Sequence, residues 1–221
     1  MNLELARVNM IEQQIRTWDV LNHQVLQTLV AVRREAFVPV AYQSLAFVDT
    51  EIPLPGGENM LSPKLEARLL QEAAIGVHES VLEIGAGSGY MAALMAHHAR
   101  HVTTVEILPE LMQLAEKNLA NYGVANVNVE CGNGAHGWAG SGSLAAPWDV
   151  IMISGALPVL PHAFLEQLRI GGRLLAVIGE APAMSACLIT RTKEDAWDKR
   201  TLFETCIKLL HDAETPSAFH F

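Results

Sequence analysis

From residue 80 onward the chain alternates strand-length apolar runs with amphipathic stretches of helical length, and no other feature restricts the fold as much. "SVLEIG" leads into the helical "YMAALMAHHA", and the β-branched "HVTTVEI" leads into "PELMQLAEKNLANYG", which opens on Pro109 and closes on Gly123. "NVNVECG" and "WDVIMISGA" read as two more strands. "PHAFLEQLRIGG" reads as a helix closing on Gly171 and Gly172, ahead of a fifth strand, "RLLAVIG". Parallel strands cannot be joined by tight turns and need a crossover, usually a helix. The pattern therefore predicts an α/β fold, a doubly wound and mostly parallel sheet with helices on both faces. Beyond it, "SACLITRTKEDAWDKRTLFETCIKLL" has two β-like runs around a polar turn and no helix between them. That predicts a C-terminal hairpin that finishes the sheet with an antiparallel strand.

Upstream, Leu3, Leu5, Val8, Ile11 and Ile15, then Val25, Leu26, Leu29 and Val30, recur at helical spacing. Residues 3 to about 35 are thus expected to form extra N-terminal helices, with Asp19 or Asn22 capping the second. Pro39, Pro53, Pro55, Gly56, Gly57 and Pro63 break the following stretch, and irregular segments of that length in compact domains are usually functional. "KLEARLLQEAA" resumes a helix that Gly76 should end. With 221 residues, half of them hydrophobic, the chain can bury one substantial core. A single domain over 1–221 is expected, with helices and a loop in 1–64 and the sheet, closed by the hairpin, in 65–221.

Charge and cysteine usage narrow the partners. Residues 1–80 carry 6 basic and 10 acidic side chains and the rest 9 and 14, so the net charge of −9 is spread evenly. No basic face is available for nucleic acid. Cys131, Cys187 and Cys206 form no CxxC pair, which disfavours zinc or a disulfide framework and suggests free, mostly buried thiols. The N-terminus lacks a signal-peptide apolar block, and no apolar run reaches the ~18 residues that span a bilayer. A soluble cytoplasmic protein without membrane partners is expected.

The strand "VLEI" runs straight into Gly85, Gly87 and Gly89. Glycine lets a backbone turn sharply and lets a ligand approach closely. The first strand-to-helix turn of a doubly wound sheet is the default ligand site. A tight turn with no ligand would explain the glycines alone, but Glu106 ends the next strand, where an acid can hold both hydroxyls of a ribose. A dinucleotide fold prefers GxGxxG; here the order is E-x-G-x-G-x-G, with Glu83 inside the strand and Tyr90 behind the glycines.

That order resembles the first motif of S-adenosylmethionine-dependent methyltransferases. The resemblance narrows along the chain to the protein-L-isoaspartate O-methyltransferases. It is carried by "VNMIEQQIRTWDVLNHQVLQTLVAVRREAFVP", by "GNGAHGW" against that family's GDGxxGW, and by "PWDVIMISGALPVLPHAFLEQLRIGGRLLAVIG". It implies a Rossmann-like methyltransferase fold, S-adenosyl-L-methionine as cofactor and isoaspartyl-containing peptides or proteins as substrate. It also implies a cofactor site built from Asn59, Met60, Leu61, Ser62, Gly85, Ala86, Gly87, Gly89, Glu106, Ile107, Asn133 and Gly134. Ser62 matches the family's active-site serine and would position the acceptor, although Ser62 and Pro63 also read simply as helix cap and first helical residue.

Two positions depart from the family. Asn59-Met60 stands where its loop usually has Gln-Thr, and Asn133 where it has an aspartate expected near the adenine. An amide accepts only a neutral hydrogen bond, so charge alone predicts that Asn133→Asp tightens cofactor binding by about 1 kcal/mol. The loop departure keeps a small-molecule acceptor, or cofactor binding without catalysis, as alternatives to isoaspartyl methylation. The remaining conspicuous residues have plain readings. His97, His98 and His101 fall at a helix end, Ser154 and Cys131 pack at strand ends, and Trp138 and Trp148 anchor the Gly/Ser-rich loop between them.

Overall fold

The computed structural model describes residues 2–142 and 144–215. Helix α1, Leu3–Met10, starts at Asn2, whose side chain accepts a hydrogen bond from the Leu5 N–H at 3.1 Å. It runs on through a π turn, Ile11–Ile15, and a 3₁₀ turn, Arg16–Trp18, and stops at Asp19 in the left-handed conformation. Asn22, not Asp19, caps α2, His23–Ala31, by accepting from Gln24 and Val25 N–H. Ile11, Ile15, Val25 and Leu29 face the core, but Leu3, Leu5, Val8 and Val30 are exposed. Arg7 takes the inward position on α1 instead, paired with Glu35 and set 5.9 Å from the Phe47 ring.

In the irregular stretch, β1, Ile52–Pro53, and β2, Asn59–Met60, pair antiparallel across the turn Pro55–Gly57. Helix α3, Pro63–Ala73, follows. Ala74 in the left-handed region (φ 46°) ends it, two residues before the expected Gly76. The alternation then appears as β3, Ser80–Ile84, α4, Tyr90–Ala96, β4, His101–Glu106, α5, Pro109–Tyr122, and β5, Val127–Cys131. A two-residue pair, β6, Gly140–Ser141, with β7, Leu144–Ala145, precedes β8, Trp148–Leu157. Trp148 donates from Nε1 to the Trp138 carbonyl at 3.1 Å, and Trp138 to Glu130 Oε2 at 2.6 Å, so both indoles anchor that loop.

Helix α6 covers only His162–Glu166, and β9, Leu168–Glu180, already includes Gly171 and Gly172. The glycines do not end the helix. They let β9 bulge: Trp148 pairs with Leu168 but Val150 with Arg173, and a Cβ on Gly172 would meet the Arg169 carbonyl at 2.9 Å. The tail forms β10, Ala183–Lys193, and β11, Ala196–Glu204, so two antiparallel strands complete the sheet. Residues 216–221, part of the expected domain, lie outside the described residues.

Among the described residues the main sheet has seven strands in the order β11-β10-β9-β8-β3-β4-β5, with β9, β8, β3, β4 and β5 parallel. Neighbouring residues on a strand point to opposite faces. Val81, Met152 and Leu175 join the cluster under α4 and the N-terminal helices, while Leu82, Ile151 and Leu174 join the one under Phe164 and Trp148. Burial on both faces is why these strands read as continuous apolar runs. Only Cys187 is buried; Cys131 and Cys206 are exposed, against the expectation of mostly buried thiols. No helix among the described residues is long and apolar enough to cross a membrane.

Candidate active site

The chain lays down β3, moves outward to β4 and β5, and returns to the other side of β3 with β8. Strand order therefore reverses between β3 and β8, and ligands of open α/β sheets bind beyond the carboxyl ends there. A cleft of about 700 Å³ opens at that point. An inner recess of about 290 Å³ shares Asn59, Leu61, Gly85, Gly87 and Ser154 with it.

The glycines form the floor. Gly85, Gly87 and Gly89 take φ values of 93°, 53° and 82°, which L side chains rarely adopt. Gly89 serves packing: a Cβ there would meet the Ala115 backbone of α5 at 3.3 Å. At the far wall a Cβ on Gly134 would meet Ile84 Cδ1 at 2.7 Å, so any side chain there would displace Ile84.

Glu106 is 5 % exposed, and both its oxygens are held: Oε2 accepts from Gly87 N–H at 2.9 Å and Oε1 from Leu108 N–H at 3.1 Å. Each oxygen retains a lone pair for a ligand, so the carboxylate is aimed before anything binds. Behind it, Glu83 is fully buried and accepts from the Thr104 hydroxyl at 2.7 Å and the Ser154 hydroxyl at 2.9 Å. Burial raises its carboxyl from 4.5 to about 8, the two hydroxyl bonds oppose the rise, and the charges of Glu106 and Glu66 add to it.

A raised carboxyl keeps its proton longer in the folded state, so the stability it contributes is complete below pH 4.5 and is lost as pH climbs toward 8. Glu83→Gln is therefore expected to gain stability relative to the parent as pH rises across that window. Urea unfolding at pH 5 and pH 8 measures this; a constant difference between the two proteins would contradict it.

Of the residues singled out in the sequence, Asn59, Leu61, Gly85, Gly87, Glu106, Ile107, Asn133 and Gly134 line the cleft, and Met60 and Ala86 line the recess. Ser62 and Gly89 lie outside both linings. Ser62 occupies the N-cap position of α3, yet its hydroxyl makes no capping bond. Ser154 is more than strand-end packing, because it lines both cavities and holds Glu83.

The wall missed in the sequence is the segment after β11. Its Leu209 pairs with Ala156 at the end of β8, and Lys208, Leu209, Leu210 and His211 all line the cleft. Lys208 Nζ and His211 Nε2 reach Glu58 Oε1 at 2.8 and 3.0 Å, so this segment straps across to the β1–β2 loop. A Cβ on Gly155 would meet Leu210 at 2.7 Å, so this glycine leaves room for the strap, and no local pattern in the sequence announces it.

The cleft fits an adenosine-bearing cofactor: a glycine floor, a pre-aimed carboxylate at the end of β4, and an apolar slot from Ile84, Val105, Ile107 and Leu111. The comparisons agree. The family model for protein-L-isoaspartate(D-aspartate) O-methyltransferase matches residues 6–209. The protein-L-isoaspartate O-methyltransferase of Koribacter versatilis is 36% identical over 202 residues, which is 91% of this chain and 88% of that one. That of Herpetosiphon aurantiacus is 37% identical over 196 residues, 89% and 85% of the two chains. Two solved structures share the fold. One, from Plasmodium falciparum and in complex with S-adenosyl-L-homocysteine, has a TM-score of 0.78 at 18% identity, covering 95% of this chain and 98% of that one. The other has a TM-score of 0.76 at 24% identity, covering 92% of this chain and 65% of a longer one. The chain belongs to the protein-L-isoaspartate(D-aspartate) O-methyltransferase family.

Proposed function

We propose that the chain is an S-adenosyl-L-methionine-dependent enzyme that methyl-esterifies the carboxylate of L-isoaspartyl residues in damaged proteins. The observation that carries this reading is the Glu106 carboxylate, fixed by Gly87 and Leu108 N–H groups beside the glycine floor of the switch-point cleft. Glu106 holds the ribose hydroxyls, and Gly85 to Gly87 let the methionine portion pass close to the backbone into the recess beside Glu83. When bound, the cofactor supplies an electrophilic methyl group on a cationic sulfonium.

The chain's own residues bind, orient and exclude water. The acceptor carboxylate is ionised at neutral pH, so no general base is needed. Rate comes from aligning its oxygen with the methyl group in a site closed to water. Glu66 and Glu83 line the recess, and a cationic ligand arriving there favours their charged forms. Ser62 lies one residue beyond Leu61 of the cleft lining, and in this reading its hydroxyl, which makes no capping bond, positions the acceptor. The exposed thiols of Cys131 and Cys206 suit a reducing cytoplasm.

Methyl transfer should be measurable with an isoaspartyl peptide and absent with its aspartyl isomer. Ser62→Ala should lower kcat/KM on the order of 2- to 12-fold, the loss of one neutral hydrogen bond. Protein that binds S-adenosylhomocysteine yet leaves the isoaspartyl peptide unmethylated would shift the reading to another acceptor.

A further inference from the structure

Asn133 and Gly134 form the only Asn-Gly pair in the chain, and both line the cleft. Every other asparagine is followed by a residue with a side chain. Asparagine is thermolabile because the next backbone nitrogen can attack its side-chain amide carbon, and glycine, with no Cβ, leaves that approach open. The local structure adds to this. Asn133 is exposed to water. Among the described residues no hydrogen bond holds the Gly134 N–H, so the attacking nitrogen is not tied up. Asn133 Oδ1 accepts from Ala135 N–H at 3.0 Å, which sets a donor where negative charge develops during the attack. Its Nδ2 donates to Asp212 Oδ2, also at 3.0 Å.

We propose that Asn133 is a site of spontaneous deamidation whose isoaspartyl product disables the cofactor cleft. The Gly134 nitrogen gives its proton to hydroxide and bonds Asn133 Cγ. The bond from Cγ to Nδ2 breaks, and ammonia leaves with a proton from water. Water then opens the resulting succinimide at one of its two carbonyls. One product is aspartate, with the backbone unchanged. The other is isoaspartate, whose main chain runs through Cβ and Cγ and is longer by one atom. That atom enters a turn without room for it, since even a Cβ on Gly134 would meet Ile84 Cδ1 at 2.7 Å, and Ile84 lines the cleft. Isoaspartate also lacks the amide that bonds Ala135 and Asp212. It is the same kind of lesion that the proposed activity acts on, formed here in the enzyme's own ligand site. The effect on binding rests on the cofactor reading above; the chemistry at Asn133 does not.

The test is incubation of the whole protein at pH 8 over several days, read by peptide mass spectrometry and by titration calorimetry with S-adenosylhomocysteine. The peptide carrying Asn133 should gain one mass unit and separate into aspartyl and isoaspartyl forms, ahead of every other asparagine in the chain. Binding stoichiometry should fall by the isoaspartyl fraction and not by the total deamidated fraction. In Asn133→Gln the longer side chain requires a larger ring that closes far more slowly, so that peptide should gain no mass over the same period. A parent peptide that gains mass no faster than the other asparagines overturns the proposal, as does a stoichiometry that does not follow the isoaspartyl fraction. A fresh parent that fails to bind S-adenosylhomocysteine overturns the cofactor reading instead, and the mass readings then decide the chemistry at Asn133 alone.

Discussion

Arg34→Met is expected to destabilise the protein by about 3–5 kcal/mol, the range for breaking one side of a buried ion pair. Arg34 is 1 % exposed and Glu66 2 %, and the two are paired between the N-terminal helices and α3. The same guanidinium donates from Nη2 to the Leu61 carbonyl at 2.7 Å and lies 5.3 Å from the Tyr90 ring. Burial raises the Glu66 carboxyl to about 7, and Arg34 is what restrains the rise, so its removal leaves a buried acid that holds its proton more tightly. The Leu61 carbonyl also loses its donor, and Leu61 lines the cleft, so cofactor affinity should fall together with stability. Replacing both partners, Arg34→Met with Glu66→Leu, should recover most of the stability, because an apolar pair leaves no buried charge. Urea unfolding at pH 7.5 reads all three proteins. A loss below about 1 kcal/mol in the single variant would show that the pair does not tie the helices to the loop.

Glu106→Ala should raise the dissociation constant for S-adenosylhomocysteine by roughly 10- to 150-fold for each ribose hydroxyl it holds, about 1.5–3 kcal/mol per charged bond. The carboxylate also satisfies Gly87 and Leu108 N–H, so its loss unpins the glycine turn that frames the cleft. Glu106→Gln separates the two roles. It keeps one oxygen for a backbone N–H, so it should retain the turn but not the charged contact, and fall between parent and alanine. Calorimetric affinities of parent and alanine variant agreeing within a factor of two would remove Glu106 from the site.

The sheet was legible because its evidence is local. Strands such as Ser80–Ile84 are buried on both faces and announce themselves as apolar runs, and Pro109 and Gly123 mark α5 without reference to anything distant. The glycine turn and Glu106 were legible for the same reason, since each sits at a strand end that the sequence already defines. What failed was whatever depends on a partner far along the chain. Leu3, Leu5 and Val8 have a helical period, yet Arg7 holds the inward position because Glu35 and Phe47 receive it. Gly171 and Gly172 carry the usual helix-end signal, but the register between β8 and β9 uses them as a bulge. Lys208, His211 and Asp212 sit in a segment without pattern, and only Glu58 and Asn133, 150 and 79 residues earlier, give them meaning.

The strap across the cleft also fixes an order of events during synthesis. The β1–β2 loop, the glycine turn and Glu106 all emerge from the ribosome long before residue 208. Until then the cleft has a floor and one wall, and Leu210 does not yet cover Gly155. Closing the contact between Glu58 and Lys208 joins residues 150 apart, an entropic cost that grows only slowly with loop length but falls late in folding. A nascent chain with a finished parallel sheet is thus still open at its ligand site. Until residues 208–211 are in place, the cleft lacks the wall that they supply.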